Sequence, residues 1–471
     1  MDRISDLHDA LLHNILLRLR SAPAAARTSV LSRRWRHVWV HLPELVLHGR
    51  HAPAPKTSFL NSVDAALAAH SAPAVLNLEI DVPFPCCCLC RANRIAPWLR
   101  FASQRLQGKI FLGLPRCIHM PSQPGVCPEE LELPPCDGAT GMELSLPESF
   151  ILRFGLAGSF AALTDLTIHS ASMEARDLEA LVSSQCPRLT TLVLFNVALV
   201  TVSGVFIRLR SPSLERLWFY VNNEKSHHLE VAAPELRLLS APVVDARISA
   251  PKLCHVIWFS DDAYDPQRYQ FIDAGRHLRQ LDIRRWSRNT LASLKRRFDS
   301  VEILGLSWSS LELRDIGYKY SSFLDGTSDL PKCETLCLSS VGIRHGFLPS
   351  MLHLLRRGNG IRKLVASACP SKKRHPCPLS CACRTPESCR ADTITLDSLE
   401  EVEIESFTGA DDHMEFLRQL VFVCRAPQLA SVKITACPHS PLNNDVQEKI
   451  HGMYRPNVRL KLRHHTDLVE V

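Results

Sequence analysis

Four cysteines in the C-terminal third of the chain have a type and spacing that could hold a metal. They are Cys377, Cys381, Cys383 and Cys389, four thiols within thirteen residues. Four thiolates can form the tetrahedral shell that Zn²⁺ prefers. However, no C-x2-C pair is present, and Cys381 and Cys383 are close for chelating one ion. The pattern leaves two interpretations open, a zinc site and a surface loop of reduced thiols, and the missing pair favours the loop.

The other cysteines point to a compartment rather than to a site. The chain has 18 cysteines, and its first residues, Met1-Asp2-Arg3, do not open an apolar signal segment. Disulfides are expected in secreted chains, so we expect reduced thiols in the cytoplasm and/or the nucleus. Cys86, Cys87, Cys88 and Cys90 are too close together for an ordinary metal site. No run of about 20 apolar residues predicts a membrane span.

Patterns typical of catalysis are missing from the sequence. It contains no phosphate-binding Gly-Lys loop, no nucleophile elbow and no H-E-x-x-H. Asp411, Asp412 and His413 could form a catalytic or metal cluster, but solvated residues that cap a helix are the favoured interpretation. We therefore expect a non-catalytic protein with no cofactor.

The charge balance does not indicate a nucleic-acid partner. Lysine and arginine total 55 against 48 acidic residues, which gives a net charge of +7 over 471 residues. Lys372-Lys373-Arg374-His375 could be a nuclear import signal, although a solvated loop is favoured. Lys295-Arg296-Arg297 is expected on the exposed face of a helix.

The first forty residues carry two amphipathic helical patterns. One apolar face combines residues at helical spacing: Leu11, Leu12, Ile15, Leu16 and Leu19. A second stripe follows, with basic residues on its other face: Leu31, Trp35, Val38 and Trp39. So short a segment cannot close a large core alone, so these faces must pack on something else. That could be the downstream domain or a partner.

This segment resembles an F-box of the plant type. The resemblance lies in Asp2-Arg3-Ile4-Ser5-x-Leu7, in the helix core Leu11-Leu12-x-x-Ile15-Leu16, and in the run Arg27-Thr28-Ser29-Val30-Leu31-Ser32-Arg33-Arg34-Trp35-Arg36. An F-box binds the small Skp-type adaptor of a cullin–RING ubiquitin ligase. The resemblance implies nine adaptor-binding residues: Leu7, Leu11, Leu12, Ile15, Leu16, Leu19, Val30, Leu31 and Trp35. His8 stands where the family usually has a proline that would preset the helix entry, so adaptor affinity is expected to be lower.

A leucine phrase then recurs along the chain, as L-x-x-L-x-apolar. Its starts are Leu163, Leu189, Leu214, Leu236, Leu253, Leu278, Val301, Cys333, Ile361, Leu399 and Leu429. The first seven are 17 to 26 residues apart, close to the leucine-rich period. Several follow a proline, as in Cys186-Pro187, which favours an extended entry into a strand. The phrase predicts one short parallel strand per repeat, stacked into a solenoid, and the alternative is unrelated strands in a globular α/β domain.

The C-terminal part has its own resemblance. Residues 398–409, Ser-Leu-Glu-Glu-Val-Glu-Ile-Glu-Ser-Phe-Thr-Gly, are similar to the FBD segment of plant F-box/leucine-rich-repeat proteins. Val402 and Ile404 predict a strand, Gly409 a turn, and Phe416 with Leu417 a helix that would close the solenoid.

These patterns predict an α/β chain: a small N-terminal all-helical F-box followed by a leucine-rich-repeat solenoid with parallel strands. The expected segments are an F-box at 1–45, a linker and N-terminal repeat region at 46–160, the solenoid at 161–390 and an FBD-like cap at 391–471. The resemblance implies the substrate-recognition subunit of a Skp–cullin–F-box ubiquitin ligase, with adaptor and cullin as partners and an unknown target on the solenoid. Two alternatives remain: an interaction scaffold without a ligase, and a small-molecule receptor on the concave face.

Overall fold

The structure is a computed structural model of the whole chain. It describes residues 7–19, 22–31, 34–49, 56–84, 90–115, 128–155, 158–200, 206–222, 228–243, 245–260, 263–285, 289–309, 326–327, 330–343, 347–358, 360–370, 394–437, 442–453 and 458–463.

Ten α-helices lie in these ranges. They are α1 (Asp9–Leu17), α2 (Ala22–Arg27), α3 (Trp35–Val38), α4 (Lys56–Ala69), α5 (Ala92–Arg105), α6 (Ala175–Ala180), α7 (Thr290–Arg297), α8 (Phe347–Arg357), α9 (Asp411–Arg418) and α10 (Asn444–Gly452). Buried apolar side chains mark the inner faces of three of these helices. Phe59, Val63 and Leu67 are buried on α4, Trp98 is buried on α5, and Phe416 is buried on α9.

The described strands number twenty-three. In chain order they are β1 (Glu44–His48), β2 (Val75–Asp81), β3 (Leu106–Gly113), β4 (Glu129–Leu133), β5 (Gly141–Ser145), β6 (Phe150–Phe154), β7 (Asp165–His169), β8 (Ser172–Glu174), β9 (Thr191–Val200), β10 (Phe206–Arg210), β11 (Arg216–Asn222), β12 (His228–Ala232), β13 (Leu238–Ser240), β14 (Asp245–Ser249), β15 (His255–Phe259), β16 (Tyr269–Phe271), β17 (His277–Arg285), β18 (Ser300–Ser309), β19 (Thr335–Ile343), β20 (Lys363–Pro370), β21 (Glu401–Phe407), β22 (Ser431–Ala436) and β23 (Arg459–Arg463).

The chain divides into two compact units. The first comprises Met1–Arg237, Val243–Lys252 and Gln270–Asp273, and the second comprises Leu238–Pro242, Leu253–Tyr269 and Ala274–Val471.

The first unit contains a parallel ladder in the order β1-β2-β3-β5-β7-β9-β11. A second series, β4-β6-β8, lies alongside, and its last strand also pairs with β9. A third series runs β10-β12-β14. Each of these pairings is parallel, as a chain of short strands that returns once per repeat requires.

The second unit contains the ladder β13-β15-β17-β18-β19-β20-β21-β22-β23, again parallel throughout. The FBD-like segment contributes the last three strands of this ladder, β21, β22 and β23. Gly409 sits in the turn before α9 with a φ of +71°, which glycine adopts without steric strain. The outermost described strand, β23, exposes Arg459, Lys461 and Arg463, and such charges discourage pairing with another chain.

The leucine phrase accounts for the core. Its second leucines stack in register across successive strands, as Leu166, Leu192 and Leu217 do, and each is fully buried. Burying one such side chain contributes about 1.5–3 kcal/mol. The backbone repeats the same step, since the amide of Thr190 donates to the carbonyl of Thr164 at 2.9 Å and the amide of Arg216 donates to that of Thr190 at 2.9 Å. All eleven predicted phrases carry a strand, so the parallel leucine-rich architecture is confirmed.

Candidate partner-binding site

Helix α1 begins at Asp9, directly after the residue that replaces the usual proline. His8 is the extended N-cap, with φ −62° and ψ 146°, and its ring Nδ1 accepts from the amide of Ala10 at 3.4 Å. Asp9 in the first turn adds a negative charge where the helix dipole favours it. His8 therefore supplies through a hydrogen bond part of the helix entry that a proline would supply through its fixed φ.

The N-terminal helices close a small core of their own. Its buried members are Leu12, Leu16, Ala25, Trp35, Val38 and Leu42. Leu7, Leu17 and Trp39 pack against it and are partly buried. Three residues of the predicted adaptor-binding set, Leu12, Leu16 and Trp35, are thus core residues here, at 0%, 2% and 3% exposure.

Five other members of that set face solvent. Leu11 and Ile15 lie on the outer side of α1, Leu19 follows two residues after its end, and the three are 50%, 42% and 43% exposed. Val30 and Leu31, in the turn between α2 and α3, are 87% and 65% exposed. We call these five side chains the apolar row. Leu7, the ninth residue of the set, is half-buried.

A shallow groove lies along the first helix. Its volume is about 720 Å³, and it is lined by Leu7, Leu11, Asn14, Ile15, Leu17 and Arg18. Four of these six side chains are apolar, so the groove continues the surface of Leu11 and Ile15. Its composition suits the apolar side chains of another polypeptide better than a charged ligand.

Polar contacts hold the helices together beside the core. The Arg34 guanidinium donates from Nε to Oδ1 of Asp9 at 3.0 Å, which ties the start of α3 to the start of α1. Hydrogen bonding to Arg34 lowers the pKa of the Asp9 carboxyl. The His13 ring lies 3.1 Å from the carbonyl of Val38, joining the same two helices through a second pair.

The N-terminal helices α1 to α3, which we call the helical module, are joined directly to the first strands of the ladder. The amide of Ser71 donates to the carbonyl of Val40 at 2.8 Å, and the His70 ring lies 2.9 Å from the carbonyl of Leu42. The amide of Leu76 donates to the carbonyl of Pro43 at 2.7 Å, just before β1 pairs with β2. We call this set of bonds the joint. Burial lowers the pKa of His70, so its ring is neutral near pH 7 and can sit within the joint without a buried charge.

Other candidates from the sequence are placed differently or lie outside the described residues. Cys377, Cys381, Cys383 and Cys389, the cysteines at 86–88 and the basic run 372–375 all lie outside them. The prediction of a solvated His413 is wrong, because this side chain is 7% exposed and packs against Phe407. Its Nδ1 accepts from the amide of Thr408 at 3.3 Å. The helix there begins after Ala410, whose side chain makes no capping bond.

The part of the chain that the structure describes gives no further sign of a metal or membrane site. Within it, no cluster of three or more histidine, cysteine or acidic side chains could hold a metal ion. None of its helices is both long and apolar enough to cross a bilayer.

Sequence reasoning missed one feature of the ladder in the first unit. The strand positions between the leucines carry exposed or half-exposed aromatic side chains at Phe195, Trp218 and Tyr220. The signal was present, since in each strand these positions alternate with the buried leucines.

Known proteins resemble this chain over its repeats and beyond. Residues 142–316 match the family described as "FBD-associated F-box protein At5g56370, LRR repeats". A protein of Arabidopsis thaliana described as FBD-associated F-box protein At5g56390 is 27% identical over 299 residues, which cover 58% of this chain and 63% of that protein.

Two more Arabidopsis thaliana proteins have related names. F-box/FBD/LRR-repeat protein At2g04230 is 29% identical over 226 residues, covering 46% of this chain and 47% of the relative. F-box/LRR-repeat protein At3g26922 is 27% identical over 240 residues, covering 50% of this chain and 74% of the relative. The chain thus spans between about half and three quarters of the length of these relatives. Over its repeats and much of the rest of its length, the chain is thus similar to plant F-box/leucine-rich-repeat proteins of the FBD-associated type.

Proposed function

We propose that this chain is the substrate-recognition subunit of a Skp–cullin–F-box ubiquitin ligase. In this proposal the helical module binds a Skp-type adaptor and, through it, a cullin, while the ladder of strands binds a target protein. The chain acts in the cytoplasm and/or the nucleus. The observation that carries the proposal is the apolar row, which leaves five large aliphatic side chains in solvent beside a module whose own core is already closed.

The apolar row is better explained by a partner than by packing within the module. Clustered exposed apolar side chains are unfavourable in water and mark surfaces that bind another protein. The five side chains are 42–87% exposed, so covering them would contribute on the order of 6 kcal/mol, at about 2 kcal/mol for each fully exposed side chain. That exceeds the lower estimates of the free energy lost on association, so the surface can support a stable complex.

Eight of the nine residues of the predicted set then have two separate tasks. The apolar row makes contact with the adaptor, whereas Leu12, Leu16 and Trp35 hold α1 and α3 at the spacing that displays the row. Removing a residue of either group would weaken adaptor binding, but only the buried group would also unfold the module.

The chemistry of ubiquitin transfer belongs to the partners in this proposal. The chain itself forms no covalent intermediate and contributes proximity, by raising the effective concentration of target lysines near the charged conjugating enzyme. The residues of interest are therefore contact residues rather than catalytic ones.

Co-purification with a Skp-type adaptor tests the proposal. The double variant Val30→Ser, Leu31→Ser removes the two most exposed side chains of the row, and we expect adaptor affinity to fall at least about tenfold. Leu76→Ser is the matched control, because this leucine of β2 is 52% exposed but lies outside the row. Adaptor binding that the double variant leaves unchanged would contradict the proposal. A wild-type chain that binds no adaptor would instead favour a scaffold that works without a ligase.

A further inference from the structure

The ladder of the first unit presents an open face made of the strand positions that alternate with the buried leucines. In β5, β7, β9 and β11 the buried positions are occupied by residues such as Leu144, Ile168, Leu194 and Phe219. The alternate positions of β1, β2, β3, β5, β7, β9 and β11 form three rows that run across the strands in register. We call these three rows the open face.

One end of the open face is aromatic. Phe195 on β9 is 49% exposed, and its ring centroid lies 5.9 Å from that of His169 and 5.7 Å from that of Tyr220. Val193 and Trp218 occupy the neighbouring row on β9 and β11 and are half-exposed. These side chains form an exposed ring surface where an arginine, a lysine or an apolar side chain can lie flat.

Carboxylates lie on β1, β2, β5 and β7 of the open face. Its three rows contain five carboxylates against two cations, Lys109 and Arg216, whereas the whole chain has a net charge of +7. The five carboxylates are those of Glu44, Glu79, Asp81, Glu143 and Asp165. This face is therefore negative on a chain that is positive overall.

Two of these carboxylates keep capacity for another cation. Glu143 is 50% exposed, and its partner His169 lies 3.8 Å away, beyond hydrogen-bond distance. Glu79 is 32% exposed and meets the His48 ring at 3.1 Å and the Asn77 amide at 2.8 Å. The ion-pair partners of these two carboxylates are histidine rings, so a lysine or an arginine of a ligand would add a permanent positive charge beside them.

We propose that the open face binds a basic segment of a target protein, with its cationic side chains on Glu79 and Glu143 and an arginine or an aromatic residue on Phe195. The inference rests on the proposed function only in calling the bound protein a ligase target. Neighbouring strands are about 4.8 Å apart, so Glu79, Glu143 and Phe195 follow one another at steps of about 10 Å. An extended segment with basic residues about three positions apart matches these steps.

Other ligand classes fit the open face less well. Phosphates of nucleic acid and acidic peptides would meet the five carboxylates and be repelled. A purely apolar segment would cover those carboxylates without pairing them, which is unfavourable. A segment that combines positive charge with a ring or a guanidinium plane can pair with the carboxylates and also cover the aromatic side chains.

Peptide binding by the full-length protein tests the proposal. The probes are a fluorescent peptide rich in arginine and phenylalanine and its counterpart with glutamate at each arginine. We expect the protein to bind the arginine peptide and not the glutamate peptide. Binding of the arginine peptide should weaken as the salt concentration is raised. Glu79→Gln with Glu143→Gln should weaken binding about fivefold, Phe195→Ser about fivefold, and the three changes together about twentyfold.

Matched controls separate the open face from the rest of the surface. Phe206→Ser removes a phenylalanine that is 60% exposed on β10, outside the open face, and Glu132→Gln removes an exposed carboxylate on β4. Neither should change peptide binding. The reversal Glu79→Lys with Glu143→Lys should transfer binding to the glutamate peptide, a gain that misfolding does not produce. Equal binding of both peptides by the wild type, or controls that weaken binding as much as the face variants, would overturn the proposal.

The outcome is independent of the adaptor test. The open-face variants should co-purify with the adaptor like the wild type, and Val30→Ser with Leu31→Ser should still bind the peptide. A wild-type chain that binds the adaptor but does not distinguish the two peptides would contradict this inference alone. A chain that distinguishes the peptides but binds no adaptor would contradict the ligase proposal alone.

Discussion

Replacing Trp35 or Leu31 with alanine should separate the two tasks of the helical module. The residues lie four positions apart, and the family resemblance assigns both to the adaptor. The structure places Trp35 in the local core at 3% exposure and Leu31 on the surface at 65% exposure. Both variants should therefore lose adaptor affinity, but only the first should lose the fold of the module.

The magnitudes follow from burial. Removing a buried tryptophan costs about 3–5 kcal/mol, and the core it leaves contains only five other buried side chains to compensate. Removing the exposed side chain of Leu31 should change stability by less than about 0.5 kcal/mol. At about 1.4 kcal/mol per tenfold change, Trp35→Ala should open the module at least about a hundredfold more often, and Leu31→Ala less than about threefold.

Amide hydrogen exchange of α1 is the appropriate assay, because it reports opening of this module separately from the rest of the chain. Amides of Asp9–Leu17 that are protected in the wild type should exchange faster in Trp35→Ala and at nearly wild-type rates in Leu31→Ala. Adaptor binding is measured in parallel. If Leu31→Ala accelerated exchange as much as Trp35→Ala, the assignment of Leu31 to contact rather than packing would be refuted.

Three further predictions concern the second unit. An alanine Cβ at Gly305 would lie 1.9 Å from Oδ1 of Asp282, whose carboxylate is held by the His255 ring at 2.7 Å and the Gln280 amide at 2.9 Å. Gly305→Ala should therefore lower the melting temperature by the equivalent of about 1–3 kcal/mol. Gly275→Ala, where an added Cβ has more space, is the control. Burial lowers the pKa of His413 to about 4, so as pH drops from 6.5 to 4 the unfolded chain takes up a proton first and the free energy of unfolding should fall by on the order of 3 kcal/mol. In urea unfolding, His413→Gln should flatten this dependence of stability on pH, and an unchanged dependence would disprove the assignment. Elemental analysis should find less than one zinc per chain, and a stoichiometric zinc that disappears in Cys381→Ser with Cys383→Ser would reverse that expectation.

Much of the ladder was predictable because one side-chain spacing governs it. Each complete leucine phrase supplies three apolar positions that can point only into the shared column, so its strand follows wherever the phrase occurs. The ladder also extends upstream of Leu163 to β1, through copies of the phrase that are harder to see. Leu42-x-x-Leu45-x-Leu47 overlaps the helical module, and Val75-x-x-Leu78-x-Ile80 has a smaller first residue.

Two more upstream copies are hidden for different physical reasons. In β5 the first position is Ala139, which is fully buried although it is small. In β3 the register shifts by one residue near Gly108, where an added Cβ would lie 2.0 Å from the carbonyl oxygen of Leu76. An inserted residue breaks the count along the sequence while the strand pairing continues around it.

The division of the candidate site into core and surface could not be predicted from the sequence. Leu11 and Leu12 are adjacent and chemically identical, yet one is 50% exposed and the other is fully buried. Helical spacing groups them on one broad apolar face. Which edge of that face turns inward depends on where α3 packs, and this is set by tertiary contacts such as those of Trp35 and Arg34.

The joint has a geometric consequence for any protein held on the open face. Backbone hydrogen bonds to the carbonyls of Val40 and Pro43 join the helical module to the first strands of the ladder, so under the proposed function the adaptor-bound module and the target-binding open face would move together. A rigid arm of fixed length would bring only some lysines of the bound target close to the conjugating enzyme, however many lysines the target has. The choice of the modified lysine would then depend on the stiffness of the joint as much as on how the open face binds the target.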